Sequence, residues 1–421
     1  MQDCCNLGVQ VLRRRLAEDS QPYLVVLSVR MWQGLGMPMI RLAAGFGFLL
    51  VLSATLNAAE SANVRLVNNR LELQEALRAL KPGMTLKLAP GEYGFGFSVD
   101  KARGTKEAPI VIEGANPAQP PKFTGGGLAI HFRGCSYLTV RHIAVSGQKG
   151  NGLNFDDGGE SSHHITIENV SVSDIGPTGN NDGIKLSGVD DFTIRNCRIN
   201  GWAGQAIDMV GCHRGLIEKC VFEGKAGFSQ ATGPQTKGGS EDITVRGCTF
   251  INAGQRPMHL GGSTGRPYFR PKDAKYEARR ITVEGNLFIG GMAPIVFTGV
   301  EQGVVRYNTI VNPETWVFRI LQENNEPGMV PCAKGVFEKN IIVCEKPLRS
   351  WINVGGNTQA NTFKFAENWW YHKASSQPAK PPLPSAEQGG TYGVDPQLDA
   401  GNGYRPRVVG AQKVGQGAWA K

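Results

Sequence analysis

Five stretches decide the fold: HITIENVSVSD (164–174), DFTIRNCRING (191–201), RGLIEKCVFEG (214–224), DITVRGCTFIN (242–252) and RITVEGNLFIG (280–290). Each is a pair of short runs that alternate apolar and polar residues and meet at a kink. Period-two alternation is the mark of a half-buried strand. The same pattern returns at YLTVRHIAVSG (137–147), QGVVRYNTIVN (302–312), KGVFEKNIIVC (334–344) and NTFKFAENWWY (361–371). The residue just after the kink is Ile143, Val170, Cys197, Cys220, Cys248, Asn286, Asn308, Asn340 and Asn368, in steps of 27, 27, 23, 28, 38, 22, 32 and 28. A repeat of this length that holds only strands and turns is a β-solenoid, because one coil has no partner for its inward face until the next stacks on it.

Working outward, a further strand precedes each kinked pair: DGIKLSG from Asp182, QAIDMVG from Gln205, RPMHLGG from Arg256. Alternation sends Ile184, Leu186, Ile207, Met209, Met258 and Leu260 inward and leaves Lys185, Asp208 and His259 on one outer face. Cysteines and then asparagines at one register position read as two internal ladders. Stacked cysteines are small buried hydrophobes, and stacked asparagines satisfy one another's amides. Cys197, Cys220 and Cys248 are therefore expected as free core thiols, and a Cys332–Cys344 pair stays open.

The ends differ from the middle. Residues 1–59 read as a leader, with MPMIRLAAGFGFLLVLSATLNAAES at 37–61 laid out as a secretory signal peptide over 37–59. Its apolar run is too short for a membrane span, so the location is expected to be secreted or periplasmic, with no membrane contact after cleavage. LELQEALRAL (71–80) has helical spacing and suits a cap on the open solenoid end. The solenoid is expected over 60–375. The Pro-rich SSQPAKPPLPSAEQGG (375–390) opens a linker and tail, 376–421, that packs on it. The fold expected is all-β, a single parallel solenoid with an N-terminal capping helix.

The formal net charge of +9 is spread along the chain without Lys/Arg runs interleaved with aromatics. That suggests an acidic ligand and does not single out nucleic acid. The two longest steps project loops, 261–280 and 319–332, where solenoids keep their sites. The first carries Arg266, Tyr268, Arg270, Lys272 and Tyr276, and the second begins with Arg319 and Glu323, near Trp316. Guanidinium groups and rings suit an acidic sugar chain. Lys237 and His259 are one coil apart, so neighbouring strands about 4.8 Å apart bring both to one face. That arrangement suits β-elimination at a uronate: Lys237 as base, its pKa lowered by neighbouring cations such as Lys185, Arg256 or Arg270, and His259, with Arg256 nearby, as acid. Substrate contacts are expected from Lys185, Asp208, Arg266, Tyr268, Arg270, Arg319 and Glu323.

The chain resembles the polysaccharide lyases that include chondroitinase B and alginate lyases. The likeness lies in ALRALKPGMTLKLAPGEY (76–93), EAPIVIEGANPAQPPKFTGG (107–126) and GVDPQL (393–398), and extends loosely over Leu71–Pro406. It implies a right-handed parallel β-helix. It also implies a base at Lys237 of KGGSEDITVRGCTF, and a second residue in PMHLGG, where the family's arginine slot holds His259. The family's acidic calcium ligands before the lysine are replaced by Gln230 and Thr232, so no cofactor is assigned, and calcium stays open without its usual ligands. The expectation is a monomeric lyase acting on an acidic polysaccharide. A glycoside hydrolase using two of Asp156, Asp157, Asp182, Asp208 and Glu323, a C5 epimerase, and a non-catalytic glycan-binding solenoid stand as alternatives.

Overall fold

The computed structural model describes residues 63–373 and 378–419; the leader and signal segment of 1–59 lie outside them. The chain winds through three long parallel sheets. The first runs from Val64–Val67 to Glu387–Gln388, the second from Lys122–Thr124 to Thr391–Tyr392, and the third from Phe97–Asp100 to Ile352–Val354. One turn of the winding is Ser240–Arg246 in the first sheet, Thr249–Ile251 in the second and Met258–Gly261 in the third. Within these three sheets each strand pairs in parallel with its counterpart one coil away. This is the all-β parallel solenoid expected, wound as a right-handed β-helix with an N-terminal helix.

The kink has a single cause. In each coil the residue before the ladder position lies in the left-handed region: Asn169 (φ 52), Asn196 (φ 54), Lys219 (φ 53), Tyr307 (φ 54), Lys339 (φ 54). That conformation is uncommon for non-glycine residues and is sustained here by coil-on-coil hydrogen bonds. It turns the next side chain into the core. Asn286, Asn308, Asn340 and Asn368 are fully buried there. Asn286 donates its amide N–H and its side-chain Nδ2 to Asn308 Oδ1, both at 3.0 Å, and Asn308 treats Asn340 in the same way at 2.9 and 3.0 Å. Glu387 Oε1 closes the ladder by accepting from both nitrogens of Asn368. Upstream, Cys248 takes over, with Cys220 N donating to its Sγ at 3.4 Å. The seven cysteines among the described residues are free and buried, Cys332 and Cys344 included. Burial pushes the Cys212 and Cys332 thiols up to about 12, which makes them inert.

A second ladder runs outside. Lys87, Glu113, Arg141, Glu168, Arg195, Glu218, Arg246, Glu284, Arg306 and Glu338 succeed one another in register on the first sheet. Arg246 meets Glu218, and Arg306 meets Glu284, at 2.8 Å. Each pair is half-buried at the surface and contributes about 1 kcal/mol or less. The alternation has a larger consequence: a slip of one coil sets like charge on like.

Helix α1, Arg70–Arg78, buries Leu73, Ala76 and Leu77 against the first coils, and Asn69 caps it by accepting from Glu72 N at 3.0 Å. At the other end the solenoid runs past residue 375. Glu387–Gln388 and Thr391–Tyr392 extend the first and second sheets, so strands follow the prolines at 378–384. The tail then returns along the second sheet, with Ala411 and Val414 packed on Ile341, Val343 and Trp369. The Trp419 ring lies against Gly285, where a Cβ would come within 2.2 Å of it. Among the described residues no helix is long and apolar enough to cross a membrane.

Replacing Asn308 by Leu strands the donors of Asn286 in the core. We expect a loss of about 2–4 kcal/mol, read as a lower urea midpoint. Cys220→Ala removes packing without stranding a strong donor and costs less, about 1–2 kcal/mol.

Candidate functional site

The third sheet stacks its outward residues into one row. In register these are His131, Asn154, Lys185, Asp208, Gln235, His259, Val296, Arg319 and Asn353. Lys237 follows Gln235 by two positions on the same strand, so its side chain emerges on the same face. The strip therefore collects Lys185, Asp208, Lys237, His259, Arg256, Glu323 and Arg319.

Burial sorts these groups by depth. Asp182 and Asp208 are 0 % exposed, while the side chains of Lys185, Lys237 and Arg256 are 25 %, 16 % and 26 % exposed. Lys185 Nζ donates to Asp208 Oδ2 at 2.5 Å and to Asp182 Oδ2 at 3.3 Å, and Lys237 Nζ stands 2.9 Å from Asp208 Oδ1. Short carboxylates thus lie beneath long cationic side chains that reach over them. Burial, and next the Asp208 charge, push the Asp182 carboxyl up to about 6 against the pull of Lys185. For Lys185 burial pulls downward, but Asp208 and Asp182 outweigh it and hold the ammonium above its usual value.

His259 departs from expectation. It is 1 % exposed, with Nε2 at 2.9 Å from Thr298 Oγ1 and 3.4 Å from Arg256 Nη1. Burial first, then the charges of Arg256, Lys237 and Arg319, hold it well below the usual histidine range. A neutral, buried imidazole is not the general acid that an imidazolium would be; the exposed donor beside it is Arg256. Arg256 Nη2 also donates to Glu323 Oε1 at 3.1 Å. Arg319 lies over the Trp316 ring at 4.6 Å and donates from Nε to Asn353 Oδ1 at 2.9 Å.

The first loop forms less of a wall than its composition suggests. Arg270 is turned away to Asp190, with Nη1 to Oδ1 at 2.9 Å and Nη2 to Oδ2 at 3.1 Å. Tyr276 is buried and donates to Glu241 Oε2 at 3.0 Å, and Arg266 donates to Ala274 O at 2.6 Å. These three anchor the loop. Tyr268 projects into solvent, 71 % exposed. Arg270 is thus bound to a carboxylate elsewhere and does not bear on Lys237, whose charged neighbour is Asp208. Asp156, another candidate, is paired with His131 Nε2 at 2.5 Å farther along the row.

Sequence reasoning placed Asp182 among outward residues. Its position two residues before the strand Ile184–Ser187 puts it at a corner, where it is buried and accepts from Gln205 N at 3.0 Å. Among the described residues no group of three or more His, Cys, Asp or Glu is placed to hold a metal ion. The two carboxylates that share Lys185 are closed by its ammonium, and Gln230 is spent on Lys225 N and O. The calcium of the resembling lyases does not fit these residues.

Residues 128–345 match the family model described as right handed beta helix region. No curated protein matches the chain in sequence. Among solved structures, lacto-N-biosidase of Eubacterium ramulus is similar at 13 % identity and TM-score 0.53, over 83 % of this chain and 71 % of that one. The alginate lyase of Paenibacillus sp. str. FPU-7 is 18 % identical with TM-score 0.49, over 78 % and 96 %. A PL6 family alginate lyase is 14 % identical with TM-score 0.44; 84 % of this chain matches, spanning 56 % of the other. At these identities the likeness concerns the fold alone.

The burial of His259 and Asp182 has opposite consequences for stability. Unfolded, His259 gains a proton as pH falls through 6.5, while folded it stays neutral; its contribution is lost as pH drops. Folded, Asp182 keeps its proton up to about 6, whereas unfolded it releases it near 3.8; its contribution grows as pH drops through that window. We expect the urea midpoint of His259→Gln to fall less than wild type between about pH 7.5 and about pH 5, and that of Asp182→Asn to fall more.

Proposed function

The chain belongs to the right-handed β-helix region family, and on that premise we propose that it is an exported carbohydrate-active enzyme that cleaves an acidic, uronate-containing polysaccharide by β-elimination along the outer face of the third sheet. One observation carries the reading: the strip presents ammonium and guanidinium groups at its surface and keeps Asp182 and Asp208 beneath them. A surface so ordered attracts carboxylates and leaves few to repel them.

In this reading the uronate carboxylate lies against Lys185 and Arg256, which stabilise the charge that develops as its α-proton leaves. Lys237 takes that proton. It does so as the free amine, with its nitrogen 2.9 Å from Asp208 Oδ1. The bond to the leaving glycosidic oxygen breaks as the ring double bond forms. Arg256 donates a hydrogen bond to that oxygen, which takes its proton from water. His259, neutral and buried, sets the guanidinium in place. The hydrolase alternative needs two carboxylates open to substrate, and Asp182 and Asp208 are covered.

The test is incubation of the purified protein with alginate, chondroitin sulfate, dermatan sulfate and pectate, following the ultraviolet absorbance of the unsaturated uronate. We expect that signal on at least one of these. Lys237→Ala should lower kcat by about a hundredfold to ten-thousandfold with the fold intact by circular dichroism. Cleavage without absorbance points to hydrolysis, inversion of the sugar without cleavage to an epimerase, and binding alone to a non-catalytic role; any of these overturns the reading.

A further inference from the structure

Glu277 is fully buried, yet its carboxylate receives four hydrogen bonds, all from neutral donors. Oε2 accepts from Gly238 N at 3.0 Å and from Thr264 Oγ1 at 2.7 Å. Oε1 accepts from Thr264 N and from Asn324 Nδ2, both at 2.8 Å. Its backbone takes part as well, with Gly239 N donating to Glu277 O at 2.9 Å. These donors come from three places in the chain. Gly238 and Gly239 are the two residues after Lys237. Thr264 belongs to the first loop that interrupts the repeat, and Asn324 to the second.

We propose that Glu277 is a positioning residue, one that holds the turn carrying Lys237 and ties both loops to that turn. The proposal rests on the reading of Lys237 as the base. The carbonyls of the turn are held from other sides, Lys237 O by Gly211 N at 2.9 Å and Ser240 Oγ at 2.8 Å and Gly238 O by Arg270 N at 3.0 Å, while both of its glycine amides are held by Glu277. Gly238 (φ +64) and Gly239 (φ +89) both occupy the left-handed region, and a Cβ on Gly239 would lie 2.4 Å from Arg270 O. Two successive glycines have the greatest conformational freedom in the unfolded chain, so their turn is costly to order. The carboxylate supplies the restriction by satisfying an amide that is otherwise buried without a partner. Lys237 is the last residue of its strand, Thr232–Lys237, so rotation of the following peptide moves its backbone, and the four-carbon side chain carries that movement to the ammonium. Misplacing a reacting group by about 1 Å lowers rate by about a hundredfold.

The same carboxylate gives the loops a common anchor. Besides the Asn324 contact, Val330 N donates to Lys275 O at 2.6 Å, and Met329 packs on Phe269, Ala274 and Tyr276. The loops are thus one packed unit, and Glu277 is the side chain that joins that unit to the Lys237 turn. A chain that presses on either loop acts on the base through this group.

The test is Glu277→Gln, read in two ways. The amide keeps the shape but sets an NH2 against Gly238 N–H and Thr264 O–H. By hydrogen exchange, we expect faster exchange at Gly238 and in both loop segments, 262–277 and 321–332, with the Asn286–Asn340 ladder unchanged. In turnover of the glycan that wild type cleaves, we expect kcat down about tenfold to hundredfold, KM little changed, and the pH–rate profile displaced. Thr264→Val, which spares the Gly238 contact, should loosen the first loop with a smaller fall in kcat. Unchanged exchange at Gly238 or in the second loop overturns the proposal. So does full kcat in a Glu277→Gln protein whose turn has loosened, and that outcome leaves the lyase reading standing. If wild type cleaves none of the glycans, the lyase reading falls, and the exchange arm alone still decides whether Glu277 clamps the turn and loops.

Discussion

Side chains that bond to the backbone of the next coil are the constraint on which the rest of the molecule depends. Asn308 accepts from the amide nitrogen and the side chain of Asn286, and repeats the arrangement toward Asn340. Parallel strands by themselves tolerate a shift in register. A buried amide does not, because a shifted ladder leaves donors unsatisfied in the core. The alternating Glu and Arg row outside adds a second penalty for slipping by one coil. With register set, every outward residue of the third sheet has one defined neighbour on each side, and residues 23 to 28 positions apart, such as Asp208 and Lys185 or Lys237 and Gly211, meet over one strip.

That strip derives its character from the lengths of its side chains. Asp and His are short and stay at the level of the sheet. Lys185 and Lys237 reach across Asp208, so this carboxylate satisfies both cations from below, whereas Glu323 meets Arg256 at the surface. The same layering holds His259 neutral, since an imidazolium there would be buried against Arg256 and Lys237. The acidic groups thus serve as internal counter-ions.

Much of the architecture was legible in the residues alone. The alternating runs at 164–174 and 191–201 named two sheets, and the kink between them named the core ladder. The strands from Asp182, Gln205 and Arg256 named the third sheet, and alternation put Lys185, Asp208 and His259 on its outer side. The helix at 71–80 was legible from its apolar spacing and appears as Arg70–Arg78. The last coil was not, because prolines at 378–384 mask the strands that follow. In the site, alternation gives a face but not a depth. Asp208 and His259 were assigned to the outside, and nothing in their spacing reveals that neighbouring cations cover them. Arg270 and Tyr276 had the composition of a substrate wall, yet their partners Asp190 and Glu241 lie 80 and 35 residues away.

The sequence by itself determined that coils stack, which residues turn inward, and that Lys237 and His259 share a face one coil apart. These follow from period-two geometry and from a repeat whose length is one turn of the solenoid. Only the tertiary structure decided which polar groups meet: Lys237 with Asp208, Arg270 with Asp190, Glu277 with Gly238, Thr264 and Asn324. The physical reason is that side-chain pairing depends on reach and burial across coils and on how the two long loops fold back. Those distances are properties of the assembled helix and are written in no local run of residues.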